Sequence, residues 1–212
     1  MDEKNSPLEI TVFSDYICPF CFIGYLTLKK LNEEYGDKIR FTWKHYPLYP
    51  GNFKPIMSDD FIIGVFERIK NLVEERNLDV EVTAPELPFT IPDSIKAFEA
   101  SECAKDQGKF WEFHEKVFEA LFKEHKDIGS VEVLKEIAAD VGMDVERFEK
   151  CLNSGSKREI IIQNYREGRN RGITGVPTFI IKNHGVIIGA EPYSLFKEEI
   201  DEALENRENE KC

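Results

Sequence analysis

Hydrophobic and polar positions change period twice along this chain. Residues 8–14, LEITVFS, are β-branched and apolar, and further on Ile39, Phe41 and Trp43 alternate with Arg40, Thr42 and Lys44. Both are strand patterns. Between them Phe22, Tyr25, Leu28, Leu31 and Tyr35 recur at helical spacing behind Pro19, and Gly36 supplies a left-handed stop. The stretch 1–46 therefore predicts a β-α-β unit, whose right-handed crossover implies parallel strands. Near the other end, residues 178–182 and 186–189 are apolar runs around Asn183, His184 and Gly185, a hairpin pattern. Leu195, Phe196, Ile200 and Leu204 then repeat at helical spacing, so the carboxyl end reads β-β-α.

The intervening sequence predicts helices over 60–76, 94–107, 109–123, 131–141, 145–152 and 156–171. A helical insertion thus separates two halves of an α/β domain, and the expected division is 1–54 with 173–212 for one unit and 55–172 for the other. Residues 77–93 break the helical pattern. They hold Pro85, Pro88 and Pro92 beside the apolar Leu87, Phe89 and Ile91, and they exceed an ordinary connection in length. We expect this loop to overlie the active-site edge, although packing between the insertion and the rest of the chain explains it equally well.

At 212 residues the chain is one large domain or a small one carrying an insertion. Its 28 Lys and Arg face 40 Asp and Glu, a net charge of −12 that repels phosphate backbones and anionic headgroups and argues against nucleic-acid or membrane partners. No apolar run approaches the roughly 20 residues of a membrane-spanning helix. MDEKNSPLEI lacks a secretory pattern, so the expected location is cytoplasmic.

Two of the five cysteines form the motif Cys18-Pro19-Phe20-Cys21, between a predicted strand and helix. Proline suits the first helical position, where its missing N–H costs nothing, and this places Cys18 at the N-cap. Unpaired backbone N–H groups and the helix dipole stabilise a thiolate there, and such settings lower a thiol pKa to about 3.5–7.5 from about 8.5. Cys21 follows one turn later on the same face, where it can resolve a mixed disulfide at Cys18. We expect Cys18 to be the exposed nucleophile and Cys21 the shielded thiol. The competing reading is half a zinc site, but Cys103 and Cys151 are isolated and His45, His114, His125 and His184 form no close pair. The expectation is no metal and no cofactor.

The segments DYICPFCFIG, ASECAKDQGKFWEFHEKVF, and RNRGITGVPTFII with GAEPYSLFKEEI resemble the DsbA family of thiol-disulfide oxidoreductases. The Pro-rich loop and long insertion are most similar to its FrnE-like branch. The resemblance covers nearly the whole chain and implies an α/β thioredoxin fold with a large helical insertion and a redox-active Cys18–Cys21 pair. It also implies a cis Val176-Pro177 bond beside the thiols, with Val176 offering backbone hydrogen bonds to a bound peptide. Trans is the commoner state of any X-Pro bond, so the cis expectation rests on the resemblance. Pro-Phe separates the cysteines here, whereas DsbA itself has Pro-His and FrnE-like proteins usually Pro-Trp, so that histidine's stabilisation of a thiolate is missing.

Expected partners are protein or peptide thiols and disulfides, with glutathione or another redox protein as the exchange partner. Pro19, Phe20, Phe89, Val176 and Pro177 would form the substrate surface. Two alternatives remain open: a glutathione-using transferase or isomerase of the same superfamily, whose members typically carry Ser at the first thiol position, and a peptide-binding chaperone module that would survive loss of both thiols. Asp15 reads as a strand-end turn residue, with an influence on Cys18 as the lesser alternative. Lys44 and His45 read as solvated strand-end side chains. Cys103 and Cys151 read as small core residues, a disulfide between them being the minority reading, and Cys212 as inert in an acidic tail. The stripe Phe110, Trp111, Phe113, Val117, Phe118 and Leu121 reads as insertion core.

Overall fold

The structure, a computed structural model, describes residues 6–50 and 56–209. Strand β1 (Leu8–Ser14) runs into helix α1 (Pro19–Tyr35), which a 3-10 turn at Gly36–Lys38 joins to β2 (Ile39–His45). Gly36 has φ 52°, a left-handed conformation that a side chain disfavours, and the helix ends there. β1 and β2 are parallel, with Leu8 opposite Ile39 and Ser14 opposite His45. The hairpin β3 (Thr178–Ile181) and β4 (Gly185–Ile188) docks antiparallel on the other side of β1, giving the order β2-β1-β3-β4. β1 is therefore paired on one side by its own crossover and on the other by a strand from the far end of the chain. Helix α8 (Tyr193–Asn209) packs Phe196 edge-on against Phe179 of β3.

Between β2 and β3 lie α2 (Asp59–Glu75), α3 (Ser94–Lys105), α4 (Phe110–Phe122), α5 (Val131–Asp140), α6 (Val145–Ser154) and α7 (Arg158–Asn170). Four of these six start at side chains that accept otherwise unpaired backbone N–H groups: Ser58 from Phe61, Asp93 from Ile95, Ser130 from Val133 and Asp144 from Arg147. One continuous apolar core runs from Val12 and Ile23 through Phe98, Phe118 and Phe148, so sheet and insertion share it. Trp111 departs from the expected core stripe and is 43% exposed, because α4 turns it to the rim of a hollow of about 360 Å³ lined also by Tyr25, Phe41 and Glu115. Among the described residues no helix is long and apolar enough to cross a membrane.

Cys103 and Cys151, expected as separate core residues, are joined in a disulfide that pins α3 to α6. The reason is the helix crossing: α3 and α6 bring the two Cα atoms to 6.0 Å, inside the span a disulfide bridges, although 48 residues separate them in sequence. Cys212 and the expected boundary at 54/55 lie outside the described residues.

Candidate active site

Cys18 is the N-cap of α1, in an extended conformation (φ −86°, ψ 115°), with Pro19 beginning the helix. Its thiol donates to the Val176 carbonyl at 3.5 Å, and the Val176-Pro177 peptide bond is cis. Cys18 is 4% exposed and Cys21 fully buried. This corrects the expectation of an openly exposed Cys18: Val176 on one side and an apolar wall on the other leave the sulfur a narrow approach. Burial pushes the Cys21 thiol well upward, and the neighbouring Cys18 sulfur acts in the same direction. Cys21 is thus held as a neutral thiol behind the first.

Gly24, one turn beyond Cys21, lets α1 approach this strand. A Cβ there would stand 2.9 Å from the Phe179 ring and 3.4 Å from Pro177 Cγ, so a side chain would push the helix away from the bond that faces Cys18.

On its other side Cys18 borders a cavity of about 220 Å³ whose surface is almost wholly apolar. Pro19 and Phe20 form one wall, Leu48 and Tyr49 a second, and Phe66, Phe89 and Pro92 a third. Phe89, from the Pro-rich loop, meets Phe66 of α2 edge to face. A second cis bond, Leu87-Pro88, lies just before it. The Arg68 guanidinium covers the Phe20 ring at 5.3 Å, placing a cation beside the dipeptide between the cysteines. The loop thus lines the same cavity as Cys18 and packs on the insertion helices.

Behind the thiols lies a buried polar layer that the sequence did not reveal. Asp15 is fully buried; its backbone N–H donates to Cys21 Sγ at 3.4 Å and its carbonyl accepts from the Cys18 N–H at 3.2 Å. Its carboxylate accepts from Ile17 and Leu48, so the turn reading holds for Ile17 and misses the remainder. His45 is buried, contrary to the solvated reading, because α3 covers the end of β2: Nε2 bonds Glu102 at 3.1 Å and lies 3.2 Å from the Ser101 hydroxyl. Lys44 reaches Glu167 of α7 at 3.1 Å. The Tyr16 hydroxyl is hydrogen-bonded to His114 Nδ1 at 2.6 Å, with both side chains buried. Burial, with the charges of His45 and Lys105 in support, drives His114 well below the ordinary histidine range.

A β-α-β unit, a returning antiparallel hairpin and a Cys-x-x-Cys pair capping the first helix opposite a cis-proline define a thioredoxin-fold protein of the disulfide-exchange type. Residues 9–201 match the DSBA-like thioredoxin domain, and the chain belongs to that family of thiol-disulfide oxidoreductases. YwbO of Bacillus subtilis is 30% identical over 199 residues, covering 92% of this chain and 96% of that protein. The ClpXP adapter protein SpxH of Halalkalibacterium halodurans is 26% identical, over 95% of this chain and 69% of SpxH. Among solved structures, a probable DsbA oxidoreductase from Streptomyces coelicolor superposes with a TM-score of 0.80 at 18% identity, covering 92% of this chain and 89% of that one. The cytosolic disulfide reductase DsbM of Pseudomonas aeruginosa, solved with glutathione, gives 0.69 at 18% identity, covering 96% and 98%.

Proposed function

We propose that this protein exchanges disulfides with protein or peptide substrates, Cys18 attacking and Cys21 resolving. In the reducing direction the Cys18 thiolate bonds to one sulfur of a substrate disulfide and expels the other as a thiolate. Cys21 then attacks the Cys18 sulfur, forming the Cys18–Cys21 disulfide and releasing the substrate as a dithiol, so two electrons pass to the substrate. Oxidation of a substrate dithiol is the same sequence reversed. Glutathione, or a second redox protein, restores the starting state.

The observation that carries this reading is the position of the Cys18 sulfur between the Val176 carbonyl and the apolar cavity. An extended peptide can bond to the Val176 backbone while an apolar side chain enters the space walled by Pro19, Phe20 and Phe89. Pro177 fixes the approach of that backbone, and the Pro-rich loop supports placement in the FrnE-like branch. A glutathione-using isomerase is disfavoured by the second thiol at position 21, which such chemistry does not need.

The test is exchange with a peptide disulfide. Cys18→Ser should abolish turnover, and Cys21→Ser should accumulate a mixed disulfide at Cys18; full activity of Cys18→Ser would refute the reading. A second reading, peptide binding without exchange, is favoured by the apolar cavity and by the adapter role of SpxH. Under that reading the Cys18→Ser/Cys21→Ser protein would bind peptides as tightly as the parent, and the parent would show no turnover.

A further inference from the structure

Asp15 has no ion-pair partner among the described residues, although it is fully buried. Both carboxylate oxygens are occupied: Oδ2 accepts from the Leu48 N–H at 2.7 Å and Oδ1 from the Ile17 N–H at 3.2 Å. The hydroxyl of Ser94, the first residue of α3, also favours its charged form. One side chain therefore ties together the Cys18 loop, the segment leaving β2 and the head of α3. Leu48 and Tyr49 on the second of these, and Pro92 just before the third, line the cavity beside Cys18. Burying a carboxylate without a cation is unfavourable, and a turn alone could use a neutral asparagine. Asparagine has one acceptor oxygen, however, and the two N–H groups here approach two oxygens.

We propose that Asp15 is a positioning residue for apolar peptide substrates: its carboxylate holds the Leu48–Tyr49 wall and the head of α3 in register with Cys18, so that seating an apolar side chain beside the reacting sulfur requires Asp15 to be charged. This rests on the exchange reading above.

Burial raises Asp15 to about 6, against the opposing hydrogen bonds from Leu48, Ser94 and Ile17. The titratable and charged groups that face it are Tyr16, Cys18 and Cys21 from the loop and α1, Tyr49 from the segment after β2, and Asp93 from the head of α3. Tyr16, Cys21 and Tyr49 are all pushed upward, chiefly by burial, and remain neutral in this range. Both substrates react at the same Cys18 sulfur, so the ratio of the two isolates what the cavity contributes.

The measurement is kcat/KM for a peptide disulfide with Phe beside its cysteine, divided by kcat/KM for hydroxyethyl disulfide, between pH 5 and 8. In the parent this ratio should fall on acidification with an inflection near the Asp15 value of about 6. Asp15→Asn should lower it at neutral pH by about tenfold, the scale of one hydrogen bond to a charged group, through KM and with a flat pH profile. Ser94→Ala removes a group that favours the carboxylate and should move the inflection to higher pH. A folded Asp15→Asn protein with the parent's ratio and profile would overturn the proposal. Should Asp15→Asn fail to fold, an unmoved inflection in Ser94→Ala overturns it instead. A parent that exchanges hydroxyethyl disulfide but shows no preference for the peptide at any pH refutes the cavity reading itself, and a parent that exchanges neither refutes the exchange function.

Discussion

The carbonyl oxygen of Val176 stands 3.5 Å from the sulfur of Cys18, across 158 residues of chain. That oxygen accepts the hydrogen bond of the thiol. A peptide N–H bonding to Val176 would compete with the thiol for the same oxygen. Without substrate, Cys18 is still the accessible member of the pair, since Cys21 is fully buried and its thiol is pushed upward. One equivalent of iodoacetamide should label Cys18 at least about tenfold faster than Cys21. Peptide mapping by mass spectrometry reads the ratio, and preferential labelling of Cys21 would reverse the roles.

Phe89 lines the cavity and also touches Phe66 of the insertion. Phe89→Ala should weaken exchange with an apolar peptide about tenfold or more, the scale of one large apolar contact, while hydroxyethyl disulfide turnover changes little. Parallel kinetics with both substrates, together with a thermal melt, checks this. Equal losses in all three would mean that the side chain serves packing alone.

The Cys103–Cys151 disulfide closes a loop of 48 residues in sequence separation. In the chain-entropy picture, closing a loop of this size restricts the unfolded state by about 4 kcal/mol. Reductant should therefore lower the urea midpoint of a Cys18→Ser/Cys21→Ser protein substantially and steepen its slope, because the opened unfolded chain exposes more surface. An unchanged midpoint would show that α3 and α6 hold together without the bond. A reducing compartment opens such bonds, so the same experiment reports what the protein would lose there.

Stability should also fall on mild acidification. His114, held well below its ordinary value by burial, stays unprotonated in the fold while the unfolded chain takes up a proton as pH drops through 6.5. His45 acts in the same direction, burial outweighing its bond to Glu102. Against burial, the bonds from His45 and Lys105 lower Glu102 to about 2, so its contribution is full above 4.5 and is lost as pH falls from there toward about 2. Asp15 opposes the trend, since between 3.8 and about 6 the fold binds a proton that the unfolded chain does not. His114→Gln keeps a polar partner for Tyr16 and cannot titrate. Its unfolding free energy below pH 6.5 should decline less steeply than the parent's, by up to about 1.4 kcal/mol per pH unit. Identical slopes in urea titrations at pH 7.5, 6.5 and 5.5 would refute the assignment.

Periodicity located the elements because each buries one face: residues 19–35, for example, carry their apolar positions at helical spacing and lie between Pro19 and Gly36. The placement of Cys18 and Cys21 was legible because it depends on one strand-to-helix junction. The polar layer behind them was not, because it depends on which later helix covers a strand end. His45 looks solvated until α3 brings Ser101 and Glu102 onto it. Asp15 looks like a turn residue until Leu48 arrives from β2. Nothing local explains Gly24, whose reason, the closeness of Pro177 and Phe179, lies more than 150 residues away. The cysteines at 103 and 151 fail for the same cause, since a helix crossing leaves no trace in spacing.

The pairing of β1 with β3 also orders events during synthesis. A ribosome releases the chain from its amino end, so Cys18 and Cys21 emerge long before the carbonyl that will face them. Throughout translation of α2 to α7 the two cysteines are attached to an unfinished sheet, without the wall that later narrows the approach to Cys18. Final closure waits for the last hairpin, which makes the Cys18–Cys21 segment one of the first parts of the molecule to be made and one of the last to be enclosed.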